Sequence, residues 1–207
     1  MVAIKIEDVK SFTSQLFLKE SFDGFLLKEA EIVTFGTVTV DGRLRRGYFL
    51  PRELEELGEG AYGPWRLWRP HFFDLIKGKR LPERFRIVLQ ASKKRTEEFC
   101  SRLGFAQENL PVLYLNIRYE DGTLYCITGL SLNFFTLDKT IEQEWDRQGA
   151  VLLKEMGIAC TGQQGFSSSL EEAVPPLTGG ERTDDNGEKG AEGAGGKALS
   201  DGCGQGK

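Results

Sequence analysis

Residues 113–129, LYLNIRYEDGTLYCITG, are the stretch that decides the fold. Apolar residues occupy every second position from Leu113 to Ile117, and the positions between them are polar or aromatic. This two-residue period is typical of a β-strand with one buried face. Glu120-Asp121-Gly122 indicates a turn, after which residues 123–128 return as a second strand. With residues 132–137 as a third strand, the pattern predicts an antiparallel meander.

Further strand and helix patterns flank this meander on both sides. The β-branched residues 32–40, the turn signal Asp41-Gly42 and residues 43–49 predict a hairpin. Residues 84–90 alternate like another strand. Helices are expected at residues 7–18, 51–57, 70–77, 92–103 and 140–156. We therefore predict an α+β fold, a mostly antiparallel sheet of five or six strands with helices packed on one face.

The 207 residues divide by composition into a globular part and a tail. Residues 1–160 are of the usual size for one domain. Residues 161–207 hold 12 of the 25 glycines and have a net charge of −4. We expect them to form a disordered acidic tail, because they cannot bury enough apolar surface to offset the entropy of ordering.

Cysteine usage and hydropathy indicate where the protein resides. No apolar run has the length of a signal peptide or a membrane span. The four cysteines are not at metal-ligand spacing,. We therefore expect a reduced, cytoplasmic protein without membrane contact.

Positive charge is concentrated in residues 43–95, which we call the basic segment. It carries 14 basic and 6 acidic side chains, whereas residues 1–42 and 96–160 have net charges of −3 and −5. At its centre lie residues 65–90, WRLWRPHFFDLIKGKRLPERFRIVLQ, where cations and aromatic rings are interleaved. One interpretation is a surface that contacts phosphates. The other is that these charges pair across the fold or form a solvated face.

The basic segment supplies the candidate contact residues. The cations that we expect to bind a nucleic acid or another polyanion are Arg43, Arg45, Arg66, Arg69, Lys77, Lys79, Arg80, Arg84 and Arg86. Lys77-Gly78-Lys79-Arg80 follows a predicted helix stop and is the expected contact point. Trp65 and Trp68 could stack on bases, or they could belong to the core, the commoner place for aromatic residues at helical spacing.

Catalytic patterns are not found in the sequence. His71 is the only histidine, and no nucleophile elbow, phosphate-binding loop or dinucleotide-binding glycine motif is present,. A carboxylate nuclease needs its acids and a lysine on one face, but the Gln90–Lys93 stretch has one residue too many. We therefore predict no catalytic residue, metal ligand or cofactor. A deep pocket at Glu29, Glu31 or Asp121 would instead favour an enzyme.

Several segments resemble an uncharacterised bacterial family, the domain of unknown function family 5721. The resemblance runs from Val2 to Ile158, and LYLNIRYEDGTLYC is its most specific part. It implies a bacterial protein and carries no known activity or site residues. The segments that carry it are KIEDVKSF, FLLKEAEIVTF, VDGRL, LIKGKRLP, FRIVLQ, LYLNIRYEDGTLYCITG and FFTLDKTIEQEWD.

Together these patterns predict a non-catalytic binding module that contacts nucleic acid or another polyanion through the basic segment. The alternatives are a protein-interaction or scaffold module whose charges only keep it soluble, and an enzyme of unknown type. The sequence leaves the oligomeric state open.

Overall fold

The computed structural model describes residues 1–78, 80–105, 110–133 and 136–165. Its elements, in chain order, are β1 (Val2–Ile6), α1 (Val9–Phe17), β2 (Phe25–Val33), β3 (Thr37–Asp41), a short 3-10 turn (Arg46–Tyr48), α2 (Pro51–Leu57), α3 (Trp65–Ile76), β4 (Arg84–Ala91), α4 (Lys93–Arg102), β5 (Val112–Glu120), β6 (Thr123–Ser131), α5 (Thr140–Glu155) and β7 (Cys160–Gly165).

All seven strands form one antiparallel sheet in the order β3-β2-β4-β5-β6-β1-β7. The predicted α+β class is confirmed, with more strands than expected. One of them, β7, pairs with β1 and covers residues 160–165, five residues beyond the expected end of the domain. The rest of the predicted tail, residues 166–207, lies outside the described residues.

The alternation of residues 113–119 defines the two faces of the sheet. Leu113, Leu115 and Ile117 are buried, and in the ladders Ile117 pairs with Ile87 on β4 and Cys126 on β6. Residues paired across antiparallel strands point to the same side. The buried set therefore forms one continuous apolar layer, the inner face, and the residues between form the outer face.

Four helices cover the inner face. On α1 and α3, Phe17 and Trp65 pack on each other, and Phe17 also packs on Phe85 of β4. Phe99 of α4 contacts Trp145 of α5 edge-on. The remaining helix, α2, contributes no buried residue. The prediction of helices packed on one face thus holds for the four helices that help to build the core.

Side chains that cap helix N-termini fix where α1 and α4 begin. Asp8 precedes α1, and its carboxylate accepts a hydrogen bond of 2.8 Å from the Ser11 N–H. Ser92 caps α4 as predicted, with its hydroxyl oxygen 3.3 Å from the Arg95 nitrogen,. The expected stop at Gly104 is also present, since that residue has a φ of +71°,.

The predicted hairpin around Asp41-Gly42 is wrong. The chain turns earlier, at residues 34–36, where Thr34 N–H donates to the Gly36 carbonyl. Gly42 has no positive φ. It instead presses its backbone against β2, where a Cβ would lie 1.9 Å from the Leu27 carbonyl oxygen. Glycine is therefore required at position 42 for close backbone approach and does not form a hairpin turn.

Two other local predictions also fail. Residues 43–49 form a loop with the 3-10 turn rather than a returning strand. The meander has two strands, β5 and β6, because residues 132, 133, 136 and 137 lie outside any strand, and residues 134–135 are outside the described residues. The neighbour of β6 on its other side is the N-terminal strand β1.

Candidate functional site

The structure divides the predicted contact cations between the two sides of the sheet. Arg66 and Arg69 lie on α3, which begins at Trp65 rather than at Pro70 and packs on the inner-face side. Arg66 is exposed. Arg69 donates to the Lys19 carbonyl and lies 3.1 Å from the Asp23 carboxylate. The Arg69 guanidinium therefore ties α3 to the segment that follows α1.

We expect Arg69→Ala to lower the free energy of unfolding by about 2 kcal/mol, because it leaves the Lys19 carbonyl without its donor and the half-buried Asp23 carboxylate without its ion-pair partner,. Asp23 is already poorly solvated, and burial raises the pKa of its carboxyl group, which the charge of Arg69 partly offsets. The matched control is Arg84→Ala, whose 3.6 Å ion pair with Glu31 is more exposed and should be worth less than about 1 kcal/mol. Urea unfolding of both variants measures the difference, and equal losses would contradict the structural role of Arg69.

The two tryptophans of α3 belong to the core. Trp65 is fully buried, its indole N–H donates to the Leu16 carbonyl over 2.9 Å, and its ring stacks on Phe72. The stacking role considered for Trp65 is therefore wrong, since neither face of its ring is free. Trp68 is half-buried and packs against the same core.

The expected contact point after α3 is only partly described. Lys77 follows the helix end, and its ammonium lies 2.7 Å from Asp74, one turn earlier. Arg80 is exposed. Lys79 lies outside the described residues. Arg80 shortly precedes Arg84, so it lies at the end of the sheet where β4 begins.

On the outer face, Arg84 and Arg86 project from β4 as the alternation predicts. Arg86 lies 2.9 Å from Glu29 of β2 and is paired in the ladder with Arg118 of β5. Arg118 in turn lies 2.6 Å from Glu120. These ion pairs are partly exposed, so each contributes little to stability, and an incoming anion could exchange with the carboxylates at small cost.

A β-bulge places Lys28 on this face. The register of the β2–β4 ladder shifts between Leu27 and Glu29, so Lys28 is the extra residue on β2,. The Lys28 ammonium lies 4.8 Å from the centre of the Tyr114 ring, within the range of a cation–π contact,. Tyr114 lies beside Gly129 of β6, where a Cβ would approach the Cβ of Tyr114 to 3.3 Å. The Asn116 amide nitrogen would lie nearer still, at 3.2 Å, so a side chain at 129 would crowd both neighbours on β5.

The chain after β3 brings Arg43 to the same place. Gly42 N–H donates to the Lys28 carbonyl, Gly63 N–H donates to the Gly42 carbonyl, and Leu27 N–H donates to the Gly63 carbonyl. These three bonds hold the segment after β3 and the segment before α3 against the bulge. Arg43 and Tyr62 form an isolated antiparallel β-bridge there. We call Lys28, Arg43, Tyr62 and Tyr114 the bulge site.

The bulge site contains two cations, and Glu29 is the acidic side chain that acts on Lys28 from outside it. Burial lowers the pKa of Lys28. Of the neighbouring charges, Glu29 raises this pKa and Arg43, with a smaller effect, lowers it. Burial also raises the pKa of Tyr114, and Tyr62 adds to the rise. Within the described ranges, neither Lys28 nor Arg43 forms an ion pair. An anion between these two cations would relieve their repulsion.

Sequence reasoning found only Arg43 among the residues of the bulge site. Tyr114 could have been found, since the alternation of β5 already placed it on the polar side. Lys28 could not, because the bulge arises from the pairing of strands that are distant in sequence. Arg45 is exposed and immediately precedes the 3-10 turn.

Features that would support catalysis are scarce in the described residues. No three His, Cys, Asp or Glu side chains there are grouped to hold a metal ion. His71 is exposed on α3. A groove of about 610 Å³ is lined by Lys94, Glu97, Glu98, Ser101 and Arg102 of α4 alone. This groove is a gap between side chains of one helix and does not involve Glu29, Glu31 or Asp121.

The thiol of Cys126 should be unreactive in the folded protein. Burial raises its pKa to about 12, and Cys160 adds to the rise, so the thiolate is scarce at neutral pH. We expect iodoacetamide at pH 8 to modify Cys126 only after unfolding, while the half-buried Cys160 is modified sooner. Mass spectrometry of the peptides would decide, and equal labelling with and without denaturant would contradict the buried position.

The fold and site define a class, an α+β protein with an antiparallel sheet covered by core-forming helices on one face and a cationic, tyrosine-containing site on the other. A model of the family of unknown function DUF5721 matches residues 15–160. The chain belongs to this family, and the resemblance inferred from its sequence is confirmed. No curated protein and no solved structure matches the chain. Among the described residues, every helix is too short or too polar to cross a membrane.

Proposed function

We propose that this protein is a non-catalytic binding module that holds a single-stranded nucleic acid or a similar polyanion on the outer face of its sheet. The observation that carries the proposal is the bulge site. There the Lys28 ammonium lies over the Tyr114 ring, the Gly42–Lys28 backbone hydrogen bond brings Arg43 next to it, and neither cation forms an ion pair within the described residues. The proposed contact surface is thus the outer face of the sheet, whereas the sequence alone pointed to α3 and the loop that follows it.

The chemistry of the outer face suits a flexible anionic strand. Lys28 and Arg43 would contact phosphates, and the half-buried Tyr114 and Tyr62 would offer ring surface to bases. Arg84, Arg86 and Arg118 extend the cationic path along β4 and β5. The carboxylates paired with these arginines are partly exposed. A phosphate can therefore replace those carboxylates with little loss of stability.

A single strand fits this face better than a duplex does. The bases of a single strand are free to stack on aromatic side chains, whereas those of a duplex are already stacked and paired. The family resemblance and the free thiols of the described cysteines also support a bacterial cytoplasmic location, which we include in the proposal.

Fluorescence anisotropy with labelled oligonucleotides tests this function. We expect the single strand to bind more tightly than the duplex, with an affinity that falls steeply between about 50 mM and 200 mM salt. The control is an oligonucleotide of the same sequence with an uncharged backbone, which should bind weakly and with little salt dependence. A flat salt response with the phosphate probe would contradict phosphate contact.

A protein-interaction module is the second candidate function. It is favoured by exposed apolar side chains at the ends of the sheet, above all Phe35, whose side chain is fully exposed,. Single exposed residues do not define a partner. The neighbouring edge strand, β3, gives more specific evidence about a partner.

A further inference from the structure

Strand β3 is an unguarded edge of the sheet. Its ladder with β2 runs from Thr37 to Asp41 without a bulge, and its sequence, TVTVD, contains no lysine or proline. Natural edge strands are normally protected by such residues or by bulges. The opposite edge differs, because the β1–β7 ladder has a register shift between Ile4 and Lys5.

The backbone groups of β3 alternate between the two sides of the strand. Gly42 N–H donates to the Lys28 carbonyl of β2. Since bonding directions alternate along an antiparallel strand, the groups of Val40 and Val38 also face β2. Those of Thr37, Thr39 and Asp41 therefore face away, and none of the described segments pairs with them.

An apolar flank accompanies this edge. Val38 projects to the inner-face side opposite Ile32 and remains 37% exposed. A strand added next to β3 would cover this exposed part of Val38.

We infer that β3 pairs with β3 of a second copy of this chain, antiparallel about a twofold axis at Thr39. In that register Thr39 faces its own copy, Val38 faces Val40, and Asp41 faces Thr37. The residues whose backbone groups point outward are the ones that exchange hydrogen bonds, which is the pattern an isologous contact requires.

Charge and side-chain chemistry also favour a second copy as the occupant. The near-palindromic TVTVD places no like charges opposite each other, and the Thr37 hydroxyl can donate to the Asp41 carboxylate. Continuing the register, the exposed Arg43 would lie opposite Phe35 of the other copy, where a cation–π contact can form. A foreign peptide would not require this internal symmetry.

Sedimentation equilibrium over a wide concentration range tests the inference. We expect a species of about twice the 23.2 kDa chain mass. Thr39→Pro removes an outward N–H without touching the ladder to β2, so it should weaken self-association by more than about 10-fold. The control Thr39→Val keeps the N–H and the β-propensity, and it should associate like the unmodified chain.

Two results would overturn the inference. One is a monomer at every concentration, which would leave the edge to a different partner. The other is a dimer that Thr39→Pro does not weaken, which would place the interface elsewhere. If Thr39→Pro loses its circular-dichroism signature of folding, Val38→Lys decides, because it adds a charge at a partly exposed position and should also abolish the dimer.

Discussion

Replacing Gly42 by alanine should lower the free energy of unfolding by about 3 kcal/mol or more, the largest stability effect that the structure predicts for a single methyl group. The added Cβ would lie 1.9 Å from the Leu27 carbonyl oxygen and 2.6 Å from its carbonyl carbon. Both are backbone atoms of β2, so no side-chain rotation can relieve the clash. The segment must move, and the Gly42–Lys28 hydrogen bond would be lost with it.

Gly47→Ala is the matched control, because a Cβ at Gly47 meets no atom within 4 Å. It lies in the same connecting stretch and should change stability by less than about 0.5 kcal/mol. Urea unfolding followed by tryptophan fluorescence measures both variants. If Gly42→Ala were as stable as Gly47→Ala, the close approach of residue 42 to β2 would be wrong, and with it the position of Arg43.

Reversing the two cations of the bulge site should give the largest binding effect. In the double variant Lys28→Glu with Arg43→Glu, two phosphate contacts become two repulsions. At roughly 1.5–3 kcal/mol for each charge-assisted contact, affinity for a single-stranded oligonucleotide should fall by about 100-fold or more. Folding should be retained, because neither cation forms an ion pair in the described structure, although Lys28→Glu also loses the contact with the Tyr114 ring.

The control for this variant changes the net charge equally at other positions. Arg66→Glu with Arg80→Glu alters exposed cations of α3 and of the loop that precedes β4, away from the bulge. A general electrostatic attraction would be weakened similarly by both double variants. A local site predicts a much larger loss for the bulge pair. Equal losses would therefore argue against a defined site on the outer face.

Most of the fold that could be predicted from the sequence followed from the alternation of apolar and polar residues along the strands. The buried positions of β5 follow directly from Leu113, Leu115 and Ile117, and the same pattern in β4 placed Arg84 and Arg86 on the outer face. Capping chemistry at Ser92 predicted the start of α4. These signals are local, so they are visible in the sequence without any tertiary contact.

The errors arise where distant segments meet. Asp41-Gly42 has the composition of a hairpin turn, but glycine is required there because the backbone passes close to the Leu27 carbonyl. Trp65 and Arg69 have the composition of a ligand surface, yet Trp65 donates to Leu16 and Arg69 binds Asp23. Strand β7 has too few apolar residues to be recognised from its sequence, and it forms a strand because it pairs with β1. In each case tertiary contacts override local composition.

The candidate site was predictable in chemical character but not in position. The net positive charge of residues 43–95 drew attention to Arg43, Arg84 and Arg86, which lie at or near the outer face. The bulge residue Lys28 lies in the acidic N-terminal range instead, so a census of charge along the chain could not find it.

Backbone amide chemical shifts, recorded while a single-stranded oligonucleotide is added to the isotope-labelled protein, test the central claim most directly. We expect the perturbed amides to cluster around Lys28, around Arg43 and Tyr62, and along β5 from Tyr114 to Arg118. Perturbations confined to α3 around Arg66 and to the loop at Arg80 would contradict it, as would a spectrum that does not change.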